Sequence, residues 1–127
     1  MLDHLSLGVA DLERAARFYD AVLAPLGYRR FKEEPGTVGY GGDPVTSSFW
    51  LQVPADGRTV VPMAGFHLAF TAGSRAAVEA VHAVALEQGA RDTVAPRLLP
   101  SVHPDYYHTM LTDPDGHRME VACHRPG

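Results

Sequence analysis

The sequence predicts an α+β fold made of two βαβββ modules, each a strand, a helix and about three further strands. One observation is a repeat, because HLSLGVAD (His4 to Asp11) matches HLAFTAGS (His67 to Ser74). Another is that an amphipathic helical pattern ending at a glycine follows each copy. A third is that Leu51-Gln52-Val53, late in the first half, matches Met119-Glu120-Val121 in the second. Neither half buries both its sheet and its helix well alone, so we expect the two to pair.

The expected organisation is a single domain over residues 1–127, with one module at about 1–54 and the other at about 62–127. We expect the modules to form an open, cupped mixed sheet with both helices on its convex side. The segment Pro54 to Arg58 has the composition of a linker between them.

Composition and charge exclude several classes of protein. A chain of 127 residues with 46% hydrophobic and 20% charged residues is an ordinary globular chain. A net charge of -4 gives no electrostatic basis for binding nucleic acid or an anionic membrane. Neither a signal peptide nor a run of transmembrane length is evident. The single cysteine, Cys123, excludes an internal disulfide, so we expect a cytoplasmic protein.

The first module is predicted from alternation and helical spacing. Leu5, Leu7 and Val9 share one face of a strand, and Asp11 is in position to cap the following helix. Pro25 then ends that helix. The predicted elements are a strand at Leu2–Val9, a helix at Leu12–Ala24, and strands at Tyr28–Lys32, Val38–Tyr40 and Ser48–Val53.

The second module follows the same order. We expect a strand at Gly65–Thr71 and a helix from Arg75 to about Gln88, capped by Ser74 and stopped by Gly89. The stretch from Arg91 to Leu99 is ambiguous and contains at most one strand.

A hairpin centred on Asp113-Pro114-Asp115-Gly116 closes the chain. Asp, Pro and Gly occupy the first, second and fourth places of a type I turn, and glycine there takes positive φ. Register through this turn pairs Asp113 with His117, Met110 with Glu120 and His108 with Ala122. Glu120 is therefore a carboxylate in the middle of a strand, and such a group needs a partner.

The faces that the helices leave uncovered carry His4, His67 and Glu120, with Gln52 at the fourth matching place. Two imidazoles and one carboxylate from three strands of one cavity make a divalent-metal site with open positions. Taken one at a time, each residue has a plainer explanation as a surface or core residue.

The chain resembles the vicinal oxygen chelate superfamily of glyoxalases, bleomycin-resistance proteins and extradiol dioxygenases. The resemblance rests on three motifs, HLSLGVADLERAARFYDAVLAPLGY, GFHLAF and DPDGHRMEV. It implies the two-module fold, a homodimer, and a zinc, nickel, manganese or iron ion held by His4, His67 and Glu120. Glyoxalase I-like members have a carboxylate where this chain has Gln52, a possible fourth ligand. Fosfomycin-resistance-like members have a tyrosine where it has Met110.

Other residues are predicted to line the cup. His108 shares the face of Glu120 and is the candidate for proton transfer, although a polar strand residue with no special role explains it equally well. Trp50, Tyr106, Met110 and Ser6 are candidates for substrate binding, and for Trp50 the alternative is a core position.

The function predicted from these features is a glyoxalase-like metalloenzyme. It would be a lyase, isomerase or dioxygenase acting on a small, oxygen-rich substrate bound to the ion. The alternative is a non-catalytic protein that binds a small ligand or antibiotic, as bleomycin-resistance proteins do.

Overall fold

The computed structural model describes residues 1–127, and the chain divides into two compact units, Met1–Val61 and Pro62–Gly127. The first unit contains β1 (Leu5–Gly8), α1 (Leu12–Leu23), a 3₁₀ turn (Ala24–Leu26), β2 (Arg29–Glu34), β3 (Thr37–Gly41) and β4 (Phe49–Gln52). The second contains β5 (Leu68–Thr71), α2 (Arg75–Glu87), β6 (Arg91–Leu98), β7 (Tyr107–Thr112) and β8 (Arg118–Cys123). Two βαβββ modules are therefore present, and the predicted α+β class is confirmed.

Each module forms its own four-stranded mixed sheet. The strand orders are β1-β4-β3-β2 and β5-β8-β7-β6. In both sheets the first strand pairs in parallel with the last strand of its module, and the other pairs are antiparallel. The last strand of each module is thus a central strand, and β8 carries Glu120 between β5 and β7.

Both helices begin as their sequences predict. The Asp11 carboxylate accepts a hydrogen bond from the Arg14 backbone N–H at 3.1 Å, and the Ser74 hydroxyl accepts one from Ala77 at 3.1 Å. The apolar face of α1 is buried through Ala15, Ala16, Phe18, Tyr19, Val22 and Leu23, and that of α2 through Val78, Val81 and Ala85. Neither helix is long and apolar enough to span a bilayer.

One face of each sheet packs on the helix of its own unit. In the first unit Leu51 is fully buried, and the Tyr40 hydroxyl lies 3.0 Å from the Ala16 carbonyl oxygen and 2.8 Å from Oδ1 of Asp20. Burial, helped by the bond to Asp20, raises the pKa of Tyr40, so its hydroxyl stays protonated. In the second unit Met119, Val121 and Cys123 alternate along β8 and are buried on one face.

The hairpin between β7 and β8 has the predicted turn and register. The Gly116 backbone N–H donates to the Asp113 carbonyl at 2.9 Å, and Gly116 has φ 92°. The Asp113 backbone N–H donates to the His117 carbonyl oxygen. Met110 lies opposite Glu120, and His108 lies opposite Ala122. This turn therefore fixes which side chains of β7 flank Glu120.

The remaining differences lie at strand ends and in β6. β1 and β5 begin at Leu5 and Leu68, so His4 and His67 each stand one residue before their strand. The ambiguous stretch is an eight-residue strand, β6, whose pairing with β7 shifts register twice. These irregularities break the simple alternation from which a strand is predicted.

Candidate functional site

The candidate site of the second unit is built around Glu120, which is 7% exposed. Its neighbours Met119 and Val121 are buried on the helix face, so the pleat turns Glu120 to the opposite face. A buried carboxylate is costly unless hydrogen bonds compensate for the lost water. Glu120 meets this requirement with three side chains, from the loop before β5, the loop before β7, and β7 itself.

The two oxygens of Glu120 face different partners. Oε1 accepts a hydrogen bond from the Tyr106 hydroxyl at 2.7 Å and lies 2.9 Å from Nδ1 of His108. Oε2 lies 3.1 Å from Nε2 of His67. The structure therefore brings together four of the predicted site residues, His67, Tyr106, His108 and Glu120.

The two imidazoles that contact Glu120 differ in exposure. The His67 side chain is 48% exposed, whereas that of His108 is 4% exposed. Nε2 of His108 is buried and has no hydrogen-bond partner. The ring thus meets the carboxylate through Nδ1, while its other nitrogen is buried.

Tyr106 is a hydrogen-bond donor to Glu120 across the whole neutral range. Burial, together with the bond to the Glu120 carboxylate, raises the pKa of Tyr106 to about 12. Its ring is surrounded by the imidazoles of His103, His108 and His124, with centroids 5.6, 5.6 and 5.1 Å away. His103 and His124 are themselves joined through Nε2 and Nδ1 at 2.8 Å.

This ring cluster (His103, Tyr106, His108 and His124) was only partly anticipated. His124 lies just after β8 and His103 in the loop before β7, so their contact joins residues far apart in the sequence. Strand parity in β7 and β8 points to Tyr106 and His108, and the sequence carries no comparable signal for the contact between His103 and His124.

The first unit carries the predicted residues His4, Ser6, Trp50 and Gln52. His4 is exposed, and its Nδ1 lies 2.5 Å from Oδ1 of Asp3. Ser6 is exposed on β1, directly beside Trp50 of β4 in the ladder. In the second unit Met110 is half-buried beside Glu120.

The sheet ladders correct the match between Gln52 and Glu120. Ser6 pairs with Trp50, and the repeat-equivalent Ala69 pairs with Glu120. Trp50, not Gln52, therefore occupies the position equivalent to Glu120. The Trp50 ring lies flat over Gly39, where an added Cβ would come within 2.7 Å of it, and its Nε1 donates to the Ser47 carbonyl at 3.1 Å.

The donor atoms of the second unit suit a divalent cation only in part. Bonds from an ion to nitrogen or oxygen are about 2.0–2.2 Å, so two ligand atoms on one ion lie within about 4 Å of each other. The His67 and Glu120 atoms, 3.1 Å apart, meet that condition. No ready group of three His, Cys, Asp or Glu side chains is present, so a metal site needs a donor beyond this pair.

Residues 1–121 match the family model of the glyoxalase/bleomycin resistance protein/dioxygenase superfamily. The chain belongs to this superfamily. The predicted resemblance is thus confirmed over nearly the whole chain, and the two-module fold agrees with it. No curated protein matches the chain.

Several solved structures share the fold. A glyoxalase/bleomycin resistance protein from Albidiferax ferrireducens T118 is 29% identical, with a TM-score of 0.84 over 99% of both chains. A glyoxalase-related enzyme from Fulvimarina pelagi is 21% identical, with a TM-score of 0.73 over 97% of this chain and 87% of that one. The fosfomycin resistance protein FosX from Mesorhizobium loti is 19% identical, with a TM-score of 0.69 over 97% and 91%. At these identities the last two show the fold alone.

Proposed function

We propose that this protein is a metal-dependent enzyme of its superfamily, a lyase, isomerase or dioxygenase that acts on a small, oxygen-rich substrate. His67 and Glu120 would bind a divalent ion of zinc, nickel, manganese or iron, with His4 as the third protein ligand. The observation that carries the proposal is the approach of His67 Nε2 to Glu120 Oε2 at 3.1 Å. The resemblance to the superfamily implies metal ligands at these two second-module positions.

The surroundings of the pair support the assignment. The His67 side chain is half-exposed, so the imidazole that contacts Glu120 borders the solvent. Glu120 lies on a central strand, and its contacts with Tyr106 and His108 restrain the carboxylate. When bound, the ion would polarise substrate oxygens and stabilise negative charge that develops there. The side chains around the ion would bind the substrate and orient its oxygens towards the ion.

Metal analysis of the purified protein tests the proposal. We expect the wild type to retain about one equivalent of a divalent metal after dialysis, and His67→Ala and His4→Ala each to lose most of it. His82→Ala, on α2, is the matched control and is expected to keep the wild-type metal content. Equal and negligible metal in the wild type and in His67→Ala would reject the site.

A non-catalytic binding protein is the second candidate, and Trp50 favours it. Its ring lies on the sheet face with its one donor already used by Ser47, so it presents a flat apolar surface. Such a protein would be stabilised against heat by bleomycin even in excess chelator. Stabilisation that disappears with the chelator would count against this candidate.

We also propose that the protein is a homodimer, as the family resemblance implies. Light scattering coupled to size-exclusion chromatography is expected to give twice the mass of the 13.8 kDa chain. A monomeric mass at micromolar concentration would reject the dimer while leaving the metal proposal standing.

A further inference from the structure

We infer that Tyr106 and His108 are positioning residues, which hold Oε1 of Glu120 and so reserve Oε2 as the one oxygen that the carboxylate offers to a metal ion. The inference rests on the proposed function and assigns these two residues roles other than substrate binding and proton transfer. It predicts that Glu120 binds the ion through a single oxygen.

Oε1 of Glu120 has no acceptor position left for a metal ion. A carboxylate oxygen has two lone pairs, and Oε1 already meets the Tyr106 hydroxyl at 2.7 Å and Nδ1 of His108 at 2.9 Å. The only side chain bonded to Oε2 is His67, which would share the ion with it. Turning the carboxylate to offer both oxygens would break these two hydrogen bonds to a charged acceptor.

The His108 ring acts through Glu120. With Nε2 buried and unpartnered, a proton there would be left without an acceptor, so the neutral ring carries its proton on Nδ1. That N–H then donates to Oε1. No atom of the ring is well placed to contact a substrate, because the residue is only 3% exposed.

The ring cluster keeps Tyr106 in place. The Asp105 backbone N–H donates to Nδ1 of His103 at 3.2 Å, so the neutral His103 ring carries its proton on Nε2. Nε2 therefore donates to Nδ1 of His124 at 2.8 Å, and the two rings stack with centroids 5.0 Å apart. Both rings present themselves edge-on to Tyr106, at 84° and 80°. Hydrogen bonds and ring packing outside the metal site thus determine where the Tyr106 hydroxyl points.

Removal of one hydroxyl tests the inference without removing a ring. Tyr106→Phe keeps the three ring contacts and loses only the bond to Glu120. Tyr107→Phe is the matched control, because the neighbouring hydroxyl donates instead to Glu79 at 2.9 Å. Affinity for Zn²⁺ is measured by competition with a coloured chelator. We expect Tyr106→Phe to bind Zn²⁺ about 10- to 100-fold more weakly, and Tyr107→Phe to bind like the wild type.

A second pair of variants keeps the test decisive if one protein folds poorly. His108→Phe removes the Nδ1 donor, whereas His108→Asn places an amide N–H near the same position. We expect Zn²⁺ affinity to fall in the first and to recover in part in the second. The Co²⁺-loaded proteins add a spectroscopic readout, and the visible absorption of Tyr106→Phe is expected to differ from the spectrum shared by the wild type and Tyr107→Phe.

The outcomes separate this inference from the proposed function. Absence of Zn²⁺ binding by the wild type itself, matched by His67→Ala, rejects the metal site and the inference with it. Tight binding by the wild type that is lost in His67→Ala but unchanged in Tyr106→Phe and His108→Phe rejects the inference alone. A uniform loss in Tyr106→Phe and Tyr107→Phe alike would indicate general destabilisation and would also reject it.

Discussion

The two imidazoles on Glu120 allow a prediction that depends on burial alone. One carboxylate contacts His108 at 2.9 Å and His67 at 3.1 Å, so the two contacts are similar in length. They differ in exposure, since the His108 side chain is 4% exposed and that of His67 is 48% exposed. We predict that His108 and Glu120 are strongly coupled in stability and that His67 and Glu120 are not.

The magnitude follows from what each imidazole does when the carboxylate is removed. Without Glu120, the Nδ1–H of His108 is left buried with no acceptor, and a lost hydrogen bond to a charged group is worth about 1.5–3 kcal/mol. The half-exposed His67 turns to water instead, and a pair of this kind is worth about 0.2–1 kcal/mol. The first coupling should therefore exceed the second by at least about 1 kcal/mol.

Double-mutant cycles measure both couplings. Glu120→Leu is combined with His108→Ala in one cycle and with His67→Ala in the other, and unfolding by urea is followed in excess chelator so that bound metal does not contribute. Because Glu120→Leu is common to both cycles, its own effect on packing cancels in the comparison. Equal couplings, or a larger one for His67, would refute the argument that burial decides the strength of these contacts.

Three further predictions concern the core, the tryptophan and alkaline pH. Leu51→Ala, at a fully buried position of β4, should lower the free energy of unfolding by about 2–5 kcal/mol, measured by urea titration; a loss below about 1 kcal/mol would contradict it. Gly39→Ala places a Cβ 2.7 Å from the Trp50 ring, so we expect an altered fluorescence maximum of the single tryptophan. The free energy of unfolding should fall by about 1–3 kcal/mol. Unaltered fluorescence would show that the Trp50 ring does not lie over Gly39. The pKa of Tyr106 is raised to about 12 in the folded protein, against about 10 in the unfolded chain. Between these pH values the unfolded chain loses the tyrosine proton first, so the melting temperature should fall as pH rises. The fall should be shallower in Tyr106→Phe, and an equal fall would contradict the assignment of this pKa to Tyr106.

Much of the fold could be predicted because local signals agree with the packing. Asp11 and Ser74 cap helices whose apolar faces are buried, and the Asp-Pro-Asp-Gly turn sets the register of the last hairpin. β6 was ambiguous because its pairing shifts register twice and because it contains Pro96, which has no N–H for a ladder.

The candidate site was predicted less completely, for reasons that are also physical. Strand parity predicts that His108 lies on the same face as Glu120. Parity does not predict how far a side chain is buried, because burial depends on the residues that pack around it. The match of Gln52 to Glu120 rests on the similarity of two three-residue segments, Leu51-Gln52-Val53 and Met119-Glu120-Val121. The register of the strand pairs instead identifies Trp50 as the residue equivalent to Glu120. The contact between His103 and His124 depends on loop conformation, for which the sequence has no periodic signal.

The tight turn at Asp113–Gly116 has a consequence for how this chain can vary. Adding or deleting one residue between the turn and Glu120 would exchange the two faces of β8. Glu120 would then point into the packing against α2, and Met119 or Val121 would point towards Tyr106 and His108. Length changes should therefore be far better tolerated in the exposed segment 55–59 than between Thr112 and Glu120. Across natural variants, the number of residues between this turn and Glu120 should stay constant even where the neighbouring residues change.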